Sequence, residues 1–212
     1  MRRLPVYLLL DTSGSMTGEP IESVKNGVQT LLSTLRRDPY ALETAYVSVI
    51  TFDSTARQAV PLTDLLSFKL PELVASGTTA LGEALSVVSK AISTEVRRTT
   101  AETKGDWRPL VFIMTDGSPT DDWRQGLAEF KATRTGVVVA CAAGQAAETK
   151  VLQEITEIVL QLDTADSSSI EAFFKWVSAS ISVGSQKVDA TKKEVIGLDD
   201  LPPPPPEINI VL

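Results

Sequence analysis

The sequence predicts an α/β protein with a doubly wound, mostly parallel six-stranded sheet, one antiparallel edge strand and helices on both faces. Two observations lead to this fold class. Short, continuously apolar runs, typical of strands buried on both faces, alternate along the chain with segments whose apolar residues recur at helical spacing. Such alternation favours parallel strand pairing, because each crossover between parallel strands then carries a helix.

Six segments have the composition of strands. The first is apolar throughout and is predicted to be a central strand covered on both faces. Only Asp53-Ser54-Thr55 separates the second segment from the third, so the third is predicted to be the antiparallel edge strand of a hairpin. The predicted strands are 4–10, 46–52, 56–60, 109–115, 137–143 and 158–162.

Apolar residues at helical spacing predict five helices between and after these strands. Pro20 suits the first turn of the first helix, and Asp38-Pro39 is predicted to stop it, because the residue before a proline disfavours helical backbone. Segment 62–72 is predicted to be a short helix or an irregular stretch. The helices fall within 20–35, 81–96, 123–130, 148–154 and 167–181.

The helical and strand pattern fails near residue 184. We therefore predict one domain over residues 1–183 and a flexible, proline-rich tail over 184–212. Five prolines, Pro202 to Pro206, predict a polyproline II spacer of about 15 Å at ~3.1 Å per residue. The apolar, β-prone segment 207–212 follows, and an exposed hexapeptide of this kind invites strand addition to a sheet edge.

The composition excludes several classes of enzyme and metal site. The chain has 212 residues, one Cys and no His. Catalysis by Ser-His-Asp or Cys-His groups, imidazole metal ligands, thiolate zinc sites and an internal disulfide are therefore ruled out. The formal net charge is −7, which argues against nucleic acid and against an anionic membrane as partners, since both attract basic surfaces.

The first ten residues resemble a signal peptide only superficially. Two Arg precede an apolar run, but the run ends at Asp11 without a small-residue cleavage site, so a buried strand is the better interpretation. No apolar stretch approaches the roughly 20 residues that span a bilayer. We therefore expect a cytoplasmic protein without a membrane partner.

Oxygen-bearing side chains follow the predicted strands at one edge of the sheet. The loop after the first strand contains Asp11, Ser13 and Ser15, the loop before the second long helix contains Thr78 and Thr79, and Asp116 follows strand 109–115. Parallel strands end on the same side, so the three loops are expected to meet. Two carboxylates with several hydroxyls suit Mg²⁺, which takes six oxygen ligands, keeps several waters and uses few carboxylates.

These residues resemble the metal-ion-dependent adhesion site of von Willebrand factor A domains. The shared pattern is Asp-x-Ser-x-Ser, here Asp11 to Ser15, then a distant Thr and a distant Asp, here Asp116. The resemblance covers about residues 4–182, so we expect the von Willebrand factor A variant of a Rossmann-like fold. Thr79-Ala80-Leu81-Gly82-Glu83-Ala84-Leu85 is similar to the family's segment from the metal-binding Thr into the next helix, which favours Thr79 over Thr78.

The resemblance implies a role for each residue. Ser13, Ser15 and Thr79 would bind the metal through their hydroxyls, whereas Asp11 and Asp116 would act largely through bound water or as outer anchors. The open position would accept an Asp or Glu from a partner protein. The expected cofactor is a divalent cation, with Mg²⁺ favoured over Mn²⁺ or Ca²⁺. No catalytic residue is assigned, and the protein is predicted not to be an enzyme.

Within this family the compact single-domain form resembles bacterial tellurium-resistance (TerY-type) proteins. The resemblance rests on chain length, on the Thr-Asp-Gly-x-Pro-Thr-Asp loop at 115–121 and on the absence of other domains. It implies a role in a tellurite or stress-response system, with a kinase and a phosphatase as partners.

Two other functions remain open from the residues alone. Asp11 and Asp116 would suit a Mg²⁺-dependent phosphotransferase or phosphatase with an aspartyl intermediate. Haloacid-dehalogenase chemistry expects a second Asp two residues after the first, where this chain has Ser13. The second alternative is a scaffold protein that has lost its metal.

Asp121 and Asp122 are predicted to cap the helix that contains Trp123.

Overall fold

A computed structural model describes residues 2–145, 147–190 and 200–211. In chain order the strands are β1 (Leu4–Asp11), β2 (Ala45–Phe52), β3 (Ala56–Asp64), β4 (Leu110–Thr115), β5 (Val138–Ala143), β6 (Val159–Leu162) and β7 (Ile208–Val211). The helices are α1 (Glu19–Leu35), α2 (Pro39–Thr44), α3 (Leu81–Glu95), α4 (Trp123–Ala132), α5 (Thr149–Ile155) and α6 (Ser167–Ala190), with a 3₁₀ turn at Gly14–Met16.

The strands form one sheet in the order β3-β2-β1-β4-β5-β6-β7. Strand β1 lies parallel between β2 and β4, with Leu8 opposite both Val49 and Phe112. Every residue of β1 and β4 is buried, as expected for central strands with helices on both faces. From β1 the chain continues to β2 on one side of the sheet, whereas from β4 it continues to β5 on the other side. The crevice at the carboxyl ends of β1 and β4 is therefore the switch point of the sheet.

Helices cover both faces, and the α/β fold class is confirmed. On one face α1, α2 and α6 pack on even-numbered β1 residues such as Leu8, and on the other face α3, α4 and α5 pack on odd-numbered ones such as Leu9. Alternate residues of a strand point to opposite faces, which divides the core into these two layers. The packing fixes the carboxyl ends of β1 and β4 side by side.

The prediction of six strands is wrong, because the sheet has seven. Strand β7 comes from the apolar end of the chain and pairs antiparallel with β6, with Ile208 opposite Leu162. Ile208 is buried in the layer formed with α6, and this burial favours pairing over solvation of the segment. The predicted antiparallel edge strand β3 is present at the other edge. The division of the chain at residue 184 remains a prediction, and residues 191–199 of the predicted tail lie outside the described residues.

The prolines run along α6 towards β7, and we call residues 200–207 the proline strap. The Trp176 Nε1 donates to the Pro202 carbonyl oxygen at 2.8 Å, and the Lys187 Nζ lies 2.5 Å from an Asp200 carboxylate oxygen. The Ile208 amide donates to the Pro205 carbonyl oxygen at 3.0 Å. These contacts hold the strap against α6 and direct the chain into β7.

Two local predictions differ from the structure. Asp38-Pro39 ends α1 but also starts α2, because the Asp38 carboxylate accepts from the Tyr40 and Ala41 amides as an N-cap and proline is favoured in the first turn. Segment 62–72 forms no helix: its first residues extend β3 to Asp64, and the rest is irregular, which is the second of the two predicted alternatives. None of the described helices combines the length and the apolar composition that crossing a bilayer requires.

Replacing Trp176 with Phe is expected to loosen the proline strap. The substitution keeps an aromatic ring and removes the indole donor, at a cost of about 1 kcal/mol for one hydrogen bond. Hydrogen exchange should become faster at the β7 amides and stay unchanged in β1. Trp107→Phe is the matched control, because the buried Trp107 Nε1 has no hydrogen-bond partner among the described residues. Equal β7 exchange in the two variants would show that Trp176 does not hold the strap.

Candidate metal centre

Two carboxylates meet at the carboxyl edge of the central strands. Asp11 is the last residue of β1, and Asp116 follows β4 directly. The two strands are neighbours, with Leu10 opposite Met114. Asp11 is completely buried and Asp116 is 8 % exposed, so the two side chains lie at different depths of one crevice.

Both oxygens of the Asp11 carboxylate are hydrogen-bonded within the chain. The Ser13 amide donates to Oδ1 at 2.7 Å, and the Thr115 hydroxyl donates to Oδ2 at 2.5 Å. Hydrogen bonds to a charged acceptor are strong and directional. They fix the orientation of Asp11, which suits an anchoring residue better than a mobile ligand.

The pKa of the Asp11 carboxyl is raised above its ordinary value. Burial is the main cause, and repulsion by the nearby Asp116 adds to it, whereas the hydrogen bonds from Ser13 and Thr115 lower the pKa. The protein therefore places two acidic groups together where their charges are costly. A divalent cation between them would offset that cost.

The two serines link Asp11's loop to Asp116. The Ser13 and Ser15 hydroxyl oxygens lie 3.0 Å apart, and the Ser15 hydroxyl donates to an Asp116 carboxylate oxygen at 2.7 Å. Ser13 is buried and Ser15 is exposed. The result is a row of oxygen atoms that runs from the buried floor of the crevice to its surface.

Thr79 contributes a third hydroxyl to the same place. A Cβ atom added to Gly117 would lie 3.6 Å from the Thr79 Oγ1 and 4.0 Å from the Ser15 Oγ, so both hydroxyls border the space above Gly117. Thr79 is 6 % exposed. Thr78 is exposed and its amide donates to the Ser54 hydroxyl at 3.1 Å, so Thr78 belongs to a different contact.

The loop after β4 fixes the segment that carries Thr79. The Thr79 amide donates to the Thr120 hydroxyl at 3.0 Å, and the Thr120 amide donates back to the Thr79 carbonyl at 2.9 Å. The Asp121 carboxylate accepts from the Gly82 and Glu83 amides at 3.1 and 2.9 Å. Asp121 thus caps α3 from another loop and supplies the side-chain acceptor that Ala80, at the N-cap position, lacks.

The donor set fits a hard divalent cation. It consists of oxygen atoms alone, from three hydroxyls and two carboxylates, and few carboxylates suit Mg²⁺. Within the described part of the chain, no group of three or more His, Cys, Asp or Glu side chains could hold a metal. Any cation at this edge would therefore depend on the hydroxyls of Ser13, Ser15 and Thr79.

The structure brings all five predicted site residues to one edge, and their assignment as metal ligands stays a prediction. Two residues that fix the site were not predicted from the sequence: Thr115, the last residue of β4, and Thr120, in the loop that follows Asp116. The expectation that Asp121 caps α4 is wrong, because its carboxylate caps α3. The position of Asp121 just before α4 in the sequence favoured a cap of α4, whereas its contact with the first turn of α3 depends on how α3 and α4 cross.

Fold and site together define a doubly wound α/β domain with an oxygen-lined crevice at its switch point. The model of the von Willebrand factor type A domain matches residues 6–175. The chain belongs to the von Willebrand factor A family, whose domains are generally interaction modules, often metal-dependent, rather than enzymes.

The chain is also similar to proteins of known sequence or structure. An uncharacterized protein of Synechocystis, sll0103, is 34 % identical over 124 residues, which cover 55 % of this chain and 26 % of the relative. Proximal thread matrix protein 1 from the mussel byssus, with a zinc-occupied MIDAS (metal-ion-dependent adhesion site) motif, matches with a TM-score of 0.61 and 21 % identity over 84 % of this chain and 48 % of its own. The von Willebrand factor type A protein from Catenulispora acidiphila matches with a TM-score of 0.62 and 17 % identity, over 85 % of this chain and 43 % of its own. The chain thus spans less than half of each relative.

Replacing Asp121 with Ala is expected to weaken divalent-cation binding about 10-fold, the lower end of the effect of losing an outer-shell partner. Without the carboxylate, the Gly82 and Glu83 amides lose their acceptor and the Thr79 segment becomes less fixed. Titration calorimetry with Mg²⁺ measures the change. Asp122→Ala is the matched control, because this neighbouring Asp is exposed and makes no side-chain cap bond to α4. Equal affinities of the two variants would contradict a positioning role for Asp121.

Proposed function

We propose that this protein is a divalent-cation-dependent protein-interaction module. The cation, with Mg²⁺ favoured, binds at the edge formed by Asp11, Ser13, Ser15, Thr79 and Asp116, and an Asp or Glu of a partner protein completes its coordination. The observation that carries the proposal is the position of the Ser15 hydroxyl, which lies within 3.0 Å of the Ser13 hydroxyl and 2.7 Å of Asp116. The zinc-occupied MIDAS motif of the mussel protein supports it.

The chemistry of this edge suits binding better than catalysis. Hydroxyl ligands offset less of a cation's charge than carboxylates do, so the ion keeps its affinity for an incoming carboxylate. A phosphatase with an aspartyl intermediate would need a carboxylate oxygen free to attack phosphorus. Asp11 is buried and both of its oxygens accept hydrogen bonds, so it is poorly placed for that role.

The biological setting that we propose is a bacterial tellurite or stress-resistance system in the cytoplasm. The resemblance to tellurium-resistance proteins supports this setting, and it implies a kinase and a phosphatase as partners. The Thr-Asp-Gly-x-Pro-Thr-Asp loop that carries the resemblance is the loop that holds Asp116 and fixes the Thr79 segment.

Metal removal tests the proposal. The protein is titrated with Mg²⁺ and Mn²⁺ in a calorimeter, and partners are captured from source cells with and without a chelator. We expect saturable binding at millimolar metal or below, and partner proteins that appear only when the metal is present. No heat of binding at millimolar metal, or identical captured proteins under both conditions, would overturn the proposed function.

A further inference from the structure

Charge is segregated between the two ends of the sheet. The loops at the carboxyl ends of the parallel strands, which we call the carboxyl edge, hold eight acids and no Lys or Arg. They comprise 11–18, 53–55, 76–80, 116–122, 144–148 and 163–166. Five segments at the opposite end, which we call the amino edge, hold nine Lys and Arg and four acids. They comprise 2–3, 36–38, 96–109, 133–137 and 156–158.

Contacts bring three segments of the amino edge together, and these three hold most of its basic residues. The Arg2 Nε donates to the Gly105 carbonyl oxygen at 2.7 Å, and the Asp106 amide donates to the Arg97 carbonyl oxygen at 2.9 Å. Gly136 lies against the backbone of Arg108, which places segment 133–137 beside loop 96–109. Segments 2–3, 96–109 and 133–137 of the amino edge therefore form one continuous surface on an otherwise acidic protein.

Among the residues that the structure describes, most of this positive charge has no carboxylate partner. Asp106 is occupied by Arg3 in an ion pair at 2.5 Å. In the described ranges, no carboxylate lies within 4.0 Å of five exposed cations. These are Arg97, Arg98, Lys104, Arg108 and Arg134. Unpaired charge of one sign at one surface favours an oppositely charged partner and accelerates its approach.

One exposed acid stands among these cations, on a structured turn. The Glu102 amide donates to the Thr100 hydroxyl at 3.3 Å, and the Thr103 amide donates to the same oxygen at 3.1 Å. The Thr100 amide closes the turn on the Thr103 carbonyl at 2.9 Å. The turn presents an exposed Glu102 carboxylate between Arg97, Arg98 and Lys104 in sequence.

We infer that a second copy of this chain docks head to tail, with the Glu102 carboxylate of one molecule at the divalent cation of the next. The inference rests on the proposed function, since it needs a cation at the Asp11–Asp116 edge. The acidic carboxyl edge then faces the basic amino edge, and Glu102 supplies the carboxylate that completes the coordination. A heterologous contact of this kind does not close on itself after two molecules, so it forms chains of molecules or rings.

The same observations disfavour nucleic acid at the amino edge. A phosphate backbone would be repelled by the exposed Glu102 carboxylate, and the carboxyl edge would play no part. The carboxyl edge of a second copy matches both features, because its cation attracts Glu102 and its six acids outside the cation site, all at least partly exposed, face the surrounding Arg and Lys. The contact should also weaken with added salt, which screens exposed charges.

Sedimentation velocity over a series of protein concentrations tests the inference. With Mg²⁺ we expect the mean mass to rise at least twofold above the 22.8 kDa monomer, and with a chelator we expect the monomer. Glu102→Gln should stay monomeric in Mg²⁺ while it binds the cation with wild-type affinity. Glu157→Gln is the matched control, since Glu157 is an exposed acid of the same edge, and it should associate like the wild type.

A mixture of two variants tests the direction of the contact. Glu102→Gln retains the cation site, and Asp116→Asn retains Glu102, so each variant alone should be monomeric. Mixed in Mg²⁺, they should form dimers, about twofold in mass, and nothing larger, because each molecule then has one functional end.

The failure of this inference and the failure of the proposed function give different results. A monomer that binds Mg²⁺ by calorimetry overturns the head-to-tail contact and leaves the cation site intact. A monomer that binds no Mg²⁺ overturns both. If a fluorescent single-stranded oligonucleotide binds the wild type and Arg97→Glu abolishes that binding, nucleic acid is the partner of the amino edge and the inference is wrong.

Discussion

Replacing Asp116 with Asn is expected to lower Mg²⁺ affinity at least about 100-fold, beyond the usual effect of an outer-shell partner. The substitution removes one of the two carboxylates of the site and keeps the size of the side chain. Asp116 accepts only the Ser15 hydroxyl among the described side-chain contacts, so little of the folded structure depends on its charge. Titration calorimetry measures the affinity.

Thermal unfolding separates lost metal binding from lost folding. At a Mg²⁺ concentration of 100 times the Kd, the bound ion stabilises the wild type by about 2.7 kcal/mol, and a 100-fold loss of affinity leaves roughly 0.4 kcal/mol. In a chelator, Asp116→Asn should unfold at the wild-type temperature or above it, because the substitution removes the repulsion that raises the Asp11 pKa. Asp122→Asn, with the same change of charge, should retain the Mg²⁺-dependent shift. If Mg²⁺ raised the unfolding temperature of Asp116→Asn as much as that of the wild type, Asp116 would not belong to the site.

Replacing Gly126 with Ala is expected to destabilise the fold by about 3 kcal/mol, the upper part of the range for overpacking. A Cβ atom at Gly126 would lie 1.9 Å from the Gly82 carbonyl oxygen. Because that oxygen belongs to the first turn of α3, the clash is with backbone and no side chain can move to relieve it. Helices α3 and α4 cross at these two glycines.

The expected change in stability on replacing Gly126 with Ala has the opposite sign to the change that helix propensity predicts. Alanine in a helix interior is favoured over glycine by about 0.8–1.0 kcal/mol, so Gly126→Ala would stabilise an isolated α4. In the protein we expect the Tm to fall by roughly 6–12 °C, at 2–4 °C per kcal/mol for a domain of this size. Gln125→Ala, at an exposed position of the same helix, should leave the Tm nearly unchanged. A raised Tm in Gly126→Ala would show that the two helices separate readily.

The fold class and the main elements could be predicted from the sequence because local patterns specify them. The continuous apolar run before Asp11 predicted the central strand β1, and the apolar residues from Leu81 onwards predicted α3. Strand β7 could not be counted in the same way. Its apolar sequence was recognised as prone to add to an edge, but the pairing depends on a contact between Ile208 and a layer built by residues far away in the chain.

The site could be predicted to the level of which residues share an edge. Spacing identified Asp11, Ser13 and Ser15, and the rule that parallel strands end together added Asp116. The residues that hold this set in place escaped prediction, because their contacts cross between loops. Thr115 and Asp121 each have a plausible local role, as strand end and as helix cap, and only the packed structure shows that they orient Asp11 and α3.

The net charge was also an incomplete guide. The net charge of −7 is a sum over the whole chain, and it conceals a carboxyl edge without Lys or Arg and an amino edge rich in both. Arg97, Arg98 and Lys104 are close in sequence, but the contribution of Arg2 and of segment 133–137 to the same surface follows from the topology of the sheet.

The position of β7 has a consequence for synthesis on the ribosome. All residues of β6 have left the ribosome once Leu162 has emerged, whereas the strand that pairs with β6, β7, begins only at Ile208. At 5–20 residues per second, about 2–9 s separate the two segments. During that interval β6 presents an open apolar edge to other nascent chains, and edges of this kind nucleate aggregation. We therefore expect versions of the protein that lack 200–212 to be less soluble when expressed, even where their cation affinity is unchanged.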